Sequence, residues 1–262
     1  MECSCATSRG LVAEFLGTMG LIVVAIGSVV LAQSLVNDVF VETPPYIFVF
    51  INAIAVAFVL FALIETFSPL SGAHFNPAVT IALTVAGECP PKKACYYICA
   101  QMAGAIFGMI LVNLFFYDVT GSLYFISDID RSSIYLILSE FFCTFMLVAI
   151  IFGCVRGGSS RTPLVVGMFV GGMIITTSST MFANPAIDVA RIFTDAACGI
   201  APLSALYFII AGIAGAIASS VLFGWLYPVK LKKGEKCDAF DCSTKEDTCC
   251  EKNMVVIEGI ER

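Results

Sequence analysis

The sequence predicts an all-α membrane protein, six transmembrane helices plus two re-entrant half-helices arranged as inverted repeats. Three observations carry this. Hydrophobic residues make up 59% of the 262 positions against 13% charged, and the mean hydropathy of +0.94 lies outside the soluble globular range. Six apolar segments approach or exceed the roughly 20 residues that a spanning helix needs. The tripeptide Asn-Pro-Ala occurs twice, at Asn76-Pro77-Ala78 and Asn184-Pro185-Ala186, and each copy opens an apolar run too short to span.

The six segments are residues 11–34, 46–66, 94–117, 133–155, 162–180 and 202–227. Residues 15–36 carry no charge, a longer run than the apolar core of roughly 7–15 residues in a cleavable signal peptide, so the first segment is expected to be a retained span. The two short runs, 77–86 and 185–193, each begin at an Asn followed by Pro. Asn is a favoured helix N-cap, and Pro suits the first helical position because its missing N–H would be unpaired there anyway. Backbone at membrane depth must satisfy its own hydrogen bonds or line a protected cavity, so these runs read as re-entrant half-helices. Small residues four apart (Gly104 and Gly108, Gly167 and Gly171, Ala211 and Gly215) mark expected helix contacts.

The halves resemble each other. Val12-Ala13-Glu14-Phe15-Leu16-Gly17-Thr18 matches Leu138-Ser139-Glu140-Phe141-Phe142-Cys143-Thr144, and each half runs span, span, half-helix, span. An odd number of spans per half forces the second copy to insert upside down. The chain therefore divides into an N-terminus (1–10), a membrane domain (11–228, with repeats 11–117 and 133–228) and a tail (229–262). Placing both ends in the cytoplasm puts Arg9, Lys92, Lys93, Arg156, Arg161, Lys230, Lys232 and Lys233 inside and leaves Arg131 and Arg191 outside, as the positive-inside rule requires.

Half-helices entering from opposite faces bring their N-termini together in mid-membrane. Free N–H groups and both positive dipole ends converge there, with the Asn76 and Asn184 amides as further donors. An oxygen lone pair is welcome at such a place, a cation is repelled, and a water file polarised from its centre cannot relay protons. A passive pore for small uncharged solutes follows. The alternative is an ion-coupled secondary transporter of a small neutral solute, which needs a coupling-ion site, and the spans offer few ionisable residues beyond Glu14, Glu65 and Glu140. With one His and no nucleophile–base pair or metal set around it, an enzyme has little to work with. No cofactor is implied, and a net charge of −6 without a basic, aromatic surface argues against nucleic acid.

The two Asn-Pro-Ala boxes, the Ser71-Gly72-Ala73-His74 lead-in, the Ala13-Glu14-Phe15 and Ser139-Glu140-Phe141 repeats and the six-span length together resemble the aquaporin/glycerol-facilitator (major intrinsic protein) family over about residues 9–228. The resemblance implies the aquaporin fold, a homotetramer in the lipid bilayer of the cell membrane with one pore per subunit, a pore centre at Asn76, Pro77, Ala78, Asn184, Pro185 and Ala186, and a narrower filter outside it. It also implies that Glu14 and Glu140 brace the re-entrant loops, in keeping with the rule that an ionisable group inside a bundle is partnered or functional. A proton-coupling pair is the competing reading of these two residues. For His74 the readings are structural hydrogen bonding or a pH gate.

Counted without gaps from the two Asn residues, the family's filter positions fall on Val56, Gly172, Met181 and Ile187. The resemblance leads one to expect, in a water-selective member, a bulky aromatic at the first, His at the second and Arg at the last. Without that Arg the filter loses a fixed charge and its donors, so a wider and more apolar constriction is expected. Asp188 matches the position where glycerol-conducting members carry Asp. Arg191 lies one turn beyond Ile187 on the same face, where it supplies either a displaced positive charge to the outer vestibule or a structural hydrogen bond. Water and glycerol-like polyols are the expected solutes, with urea, ammonia and arsenous acid as further candidates. The run from Asn184 to Arg191, with Phe193-Thr194-Asp195 and Gly199-Ile200-Ala201-Pro202, also resembles a prokaryotic branch linked to arsenic-resistance genes.

Of the twelve Cys, Cys95, Cys99, Cys143 and Cys154 lie in or beside apolar spans, where a small polarisable side chain simply packs. Cys3, Cys5, Cys237, Cys242, Cys249 and Cys250 lie in polar tails on the expected cytoplasmic, reducing side, so disulfides are not expected. The spacing of the four tail Cys does not fit a zinc site. They read as incidental thiols or as a speculative trap for a soft metal or trivalent arsenic. The basic stretch that opens the tail, from Lys230 to Lys236, suits an anionic inner leaflet.

Overall fold

The computed structural model describes residues 8–37 and 46–228, and among them every regular element is helical. In chain order these are α1 (Ser8–Asn37), α2 (Tyr46–Ser71), α3 (Pro77–Val85), α4 (Pro91–Phe115), α5 (Tyr117–Thr120), α6 (Ile134–Arg156), α7 (Thr162–Thr176), α8 (Pro185–Arg191) and α9 (Pro202–Leu226). By length and composition α1, α2, α4, α6 and α9 can cross a membrane. Large apolar side chains such as Phe58, Ile110, Met168 and Val221 point outward, a surface suited to hydrocarbon rather than water.

The expected fifth span, 162–180, is shorter than the sequence suggested. Helix α7 has 15 residues and stops at Thr177, whose backbone turns extended, so it rises only about 23 Å at about 1.5 Å per residue. From there the chain falls back into the bundle toward the second Asn-Pro-Ala box. Its counterpart α2 does the reverse and continues to Ser71, past Pro69. The two short helices begin where the Asn-Pro pairs predict, and α8 ends at Arg191 rather than at 193.

The packing repeats between halves. Helix α1 lies against α2 and α4, α6 lies against α7 and α9, and α2 meets α7 across the divide. Each half-helix is wedged between the last helices of both repeats, α3 on α9 and α4, and α8 on α4 and α9. The closest approaches also correspond. A Cβ added at Gly104 would collide with the Phe15 carbonyl, and one at Gly215 with the Phe141 carbonyl. Phe15 and Phe141 directly follow the two repeat glutamates, so one helix crossing is built twice. Between α2 and α7, Gly167 and Gly171 sit over the Ala57 and Ala53 carbonyls, at 2.7 and 2.9 Å from their would-be Cβ positions.

Because backbone cannot retreat as a flexible side chain can, Gly215→Ala is expected to destabilise the protein by about 1–3 kcal/mol. Gly224→Ala, where nothing lies within 4 Å of the added methyl, serves as the control. Thermal unfolding in detergent separates them, and equal melting temperatures would refute the close-packing account.

Candidate functional site

Both loops that lead into the half-helices are wound the same unusual way. Ala73 (φ 51) and Phe75 (φ 49) in the first, and Met181 (φ 46) and Ala183 (φ 46) in the second, adopt left-handed backbone three and one residues before their Asn. Such conformations cost non-glycine residues about 1–3 kcal/mol each and persist only where the surroundings impose them. Here the imposing groups are two buried carboxylates. Glu14 Oε1 accepts from the His74 amide at 2.9 Å and the Ser71 hydroxyl at 2.7 Å, and Oε2 from the Phe75 amide at 2.8 Å and Gln101 Nε2 at 2.7 Å. Glu140 accepts from the Phe182 amide at 2.9 Å and the Ala183 amide at 2.6 Å. Both carboxylates spend their oxygens on the same two loop positions, a bracing geometry that leaves a proton-coupling pair without support.

The strained loops present the Phe75 and Ala183 carbonyls to the opposite half. Asn76 Nδ2 donates to the Ala183 carbonyl at 2.8 Å, and Asn184 Nδ2 donates to the Phe75 carbonyl at 2.9 Å. Each Oδ1 accepts from its own half-helix, from the Ala78 amide at 2.8 Å and the Ala186 amide at 3.0 Å. An Asn side chain has two N–H bonds. One is used in the cross-link, so each amide keeps one, and both Asn side chains border a single cavity of about 770 Å³. Pro77, Ala78, Pro185 and Ala186 are buried in the first turns of the two half-helices.

His74 also borders this cavity. Its Nδ1 lies 3.1 Å from Thr80 Oγ1 and its ring packs edge-on against Tyr97, with centroids 5.2 Å apart. Thr80 is in turn bonded by Gln101 Nε2 at 3.0 Å. Sequence reasoning missed this Thr80–Gln101–Tyr97 support, which joins residues up to 21 apart on different helices.

Of the four expected filter positions, Val56, Met181 and Ile187 line the cavity and Gly172 does not. Gly172 is exposed on the outer side of α7. The cavity stripe of α7 is Val166, Val170 and Ile174, and two residues from either of the last two is about 200° round a helix of 3.6 residues per turn. Helix α7 ends at Thr176, and the residues of this helix that line the cavity near its end are Val170 and Ile174. The i, i+4, i+8 spacing of Val166, Val170 and Ile174 was the available signal. Asp188 needs a second correction: it is 1% exposed and absent from the cavity wall, so it does not face the vestibule, and its Oδ1 has no hydrogen-bond partner among the described residues. Arg191 does face the cavity, where Nη2 donates to the Ala25 carbonyl at 3.3 Å.

Each end of the bundle is tied by an arginine. At one end Arg156 pairs with Glu88 at 2.7 Å and donates to the Phe223 carbonyl at 2.7 Å. At the other, the 121–133 connection folds inward: Arg131 donates through Nε to the Gly199 carbonyl at 3.0 Å and through Nη2 to the Ala197 carbonyl at 2.9 Å. Next to it, the Ser132 hydroxyl and amide, with the Ser204 hydroxyl, hold the Asp130 carboxyl below its usual range. No group of three or more potential metal ligands occurs among the described residues. Cys3, Cys5, Cys237, Cys242, Cys249 and Cys250 lie outside them.

Comparison with known proteins agrees with this geometry. The family described as major intrinsic protein matches residues 2–196. An aquaglyceroporin, AqpS, of Rhizobium meliloti is 35% identical over 223 residues, covering 84% of this chain and 90% of that protein. A probable aquaporin, AqpM, of Archaeoglobus fulgidus is 31% identical over 192 residues, covering 68% and 76%. Among solved structures, the Plasmodium falciparum aquaglyceroporin superposes with a TM-score of 0.61, covering 84% of this chain and 96% of that one; at 21% identity the likeness speaks for the fold alone. The chain belongs to the major intrinsic protein family, and it is a passive multi-pass membrane channel and not an enzyme.

Proposed function

We propose that the channel conducts water and glycerol-sized polyols, with urea, ammonia and arsenous acid as further neutral solutes. The observation that carries this reading is the apolar part of the cavity lining, in which Val56, Ile174, Met181 and Ile187 take part; in this reading they form the outer constriction. None of these side chains carries a charge or a strong hydrogen-bonding group, so a carbon backbone can pass there without stripping polar partners from the wall. A water-only filter needs donors at that level to hold a narrow file. The aquaglyceroporin name of the Rhizobium relative supports the same solute class. Ions and protons are excluded further in, at Asn76 and Asn184, where the remaining amide N–H groups and two helix N-termini meet.

In the same reading the channel is a homotetramer in the cell membrane, built from repeats 11–117 and 133–228, with both termini cytoplasmic. The Lys and Arg distribution supports that sidedness. Asp188, turned from the cavity, serves the packing of α8 rather than the solute path. His74 supports the first loop through Thr80.

Stopped-flow light scattering on proteoliposomes tests the solute class. Both water and glycerol permeability should exceed that of protein-free vesicles, and fast water with glycerol excluded would overturn the reading. Ile187→Arg should cut glycerol flux by about tenfold and water flux by less than about threefold, because it narrows an apolar collar and adds donors to it. Equal losses would mean that Ile187 does not set solute size. Glu140→Gln replaces one acceptor with a donor opposite two amides and should cost about 1–3 kcal/mol of stability. Its residual glycerol flux should be indifferent to a proton gradient, and gradient-driven uptake in the parent protein would restore the transporter alternative.

A further inference from the structure

One carboxylate on the cavity rim has a choice of cations. Glu88 sits in the turn between α3 and α4, where its amide donates to the Leu83 carbonyl at 2.8 Å and the preceding Gly87 takes left-handed backbone (φ 77). The backbone of the turn is therefore fixed, and the side chain is the part that can move. Glu88 borders the cavity. Among the described residues its carboxylate is bonded to Arg156 alone: Nε donates to Oε1 at 2.9 Å, and Nη2 lies 2.7 Å from the same oxygen.

Arg156 is held without the help of Glu88. It closes α6, its guanidinium carbon lies 4.0 Å from the Phe152 ring centroid, and Nη1 donates to the Phe223 carbonyl at 2.7 Å and the Tyr227 carbonyl at 3.4 Å. The last carbonyls of a helix lack intrahelical partners, and a cation there suits the negative end of the helix dipole. Glu88 has no comparable second anchor. Two further cations border the cavity at the same end, Arg9 as the second residue of α1 and Lys93 in the first turn of α4. These helices run parallel, with Gly104 against Phe15 and Gly108 against Met19, so their starts share one mouth. Lys93 Nζ lies 5.0 Å from the Tyr97 ring centroid, and neither cation is in an ion pair among the described residues.

A carboxylate at the rim of a largely apolar cavity pairs with an available cation, because leaving it unpaired there is costly. Paired with Arg156, it lies against the wall made by the ends of α6 and α9. Paired with Lys93 or Arg9, it would lie toward the opening that those side chains border. We propose that Arg156 is a positioning residue of this channel: it holds Glu88 against the wall and so keeps the mouth at the start of α1 and α4 clear for solute. The pair then governs access at this mouth for every solute alike, whereas discrimination by size belongs to the apolar lining around Val56 and Ile187. This inference rests on the proposed channel for neutral solutes.

Removing the arginine alone and removing both charges should have opposite outcomes. Water and glycerol permeabilities of proteoliposomes are measured for the parent protein, for Arg156→Gln and for the double variant Glu88→Gln/Arg156→Gln, each normalised to folded protein and accompanied by its melting temperature in detergent. Arg156→Gln frees the carboxylate to cross to Lys93 or Arg9 and should lower both permeabilities at least about fivefold. The double variant lacks the charge that crosses and should recover to within about twofold of the parent, although it lacks the same contacts to Phe223 and Tyr227. A merely structural role for Arg156 would not be repaired by a second deletion. If Arg156→Gln does not fold, Arg156→Met, which keeps an unbranched side chain on the Phe152 ring without a charge, gives the same comparison. A folded Arg156→Gln with the flux of the parent, or a double variant as slow as the single one, would overturn the proposal. Failure of the parent protein to pass any neutral solute would instead overturn the underlying channel reading, so the two failures are distinguishable.

Discussion

Two helices that begin in the middle of a membrane expose, at their N-termini, backbone that lipid cannot solvate. Everything else in this protein answers that constraint. Glu14 and Glu140 each collect the two amides that precede an Asn-Pro-Ala box, and each Asn caps its own half-helix while donating to the other half's loop. The bonds interlock: left-handed backbone at Phe75 and Ala183 turns the carbonyls that the opposite Asn needs, and the glutamates hold that backbone in place. Remove one member and a buried donor or acceptor on the other half loses its partner. The junction of the two half-helices is thus a property of both halves at once, and neither repeat could form it alone.

The same interlock explains which features were legible in the sequence. Whatever depends on local chemistry could be read directly. Asn followed by Pro announced both half-helix starts to the residue, and the repeated glutamates announced the braces. Helix contacts at Gly104, Gly167, Gly171 and Gly215 followed from small-residue spacing. What depends on the length of an irregular segment could not. Gly172 was placed by counting back from Asn184 through a return loop, whereas the residues of α7 that line the cavity near its end are Val170 and Ile174. Asp188 was assigned by position in a motif, whereas its neighbour Ile187 takes the cavity and one residue of helix turns Asp188 into the bundle. Nor could the sequence decide between the two readings of Arg191, because the number of its donors left unfilled is a fact about Ala25, Phe182 and the absence of a paired carboxylate.

The position of the channel's tolerance to change follows from these two classes of residue. The centre is over-determined: four carboxylate oxygens, two amide side chains and five loop residues in left-handed backbone must agree to within hydrogen-bonding tolerance, and a substitution there costs stability. The apolar part of the cavity lining carries no such obligation. Val56, Ile174, Met181 and Ile187 contribute apolar cavity lining whose shape can vary so long as the bundle stays packed, without disturbing the hydrogen bonds around Asn76 and Asn184. Arg191 stands between these cases. It donates one long hydrogen bond to the Ala25 carbonyl and packs against the Phe182 ring, so its position rests on fewer hydrogen bonds than that of Arg131.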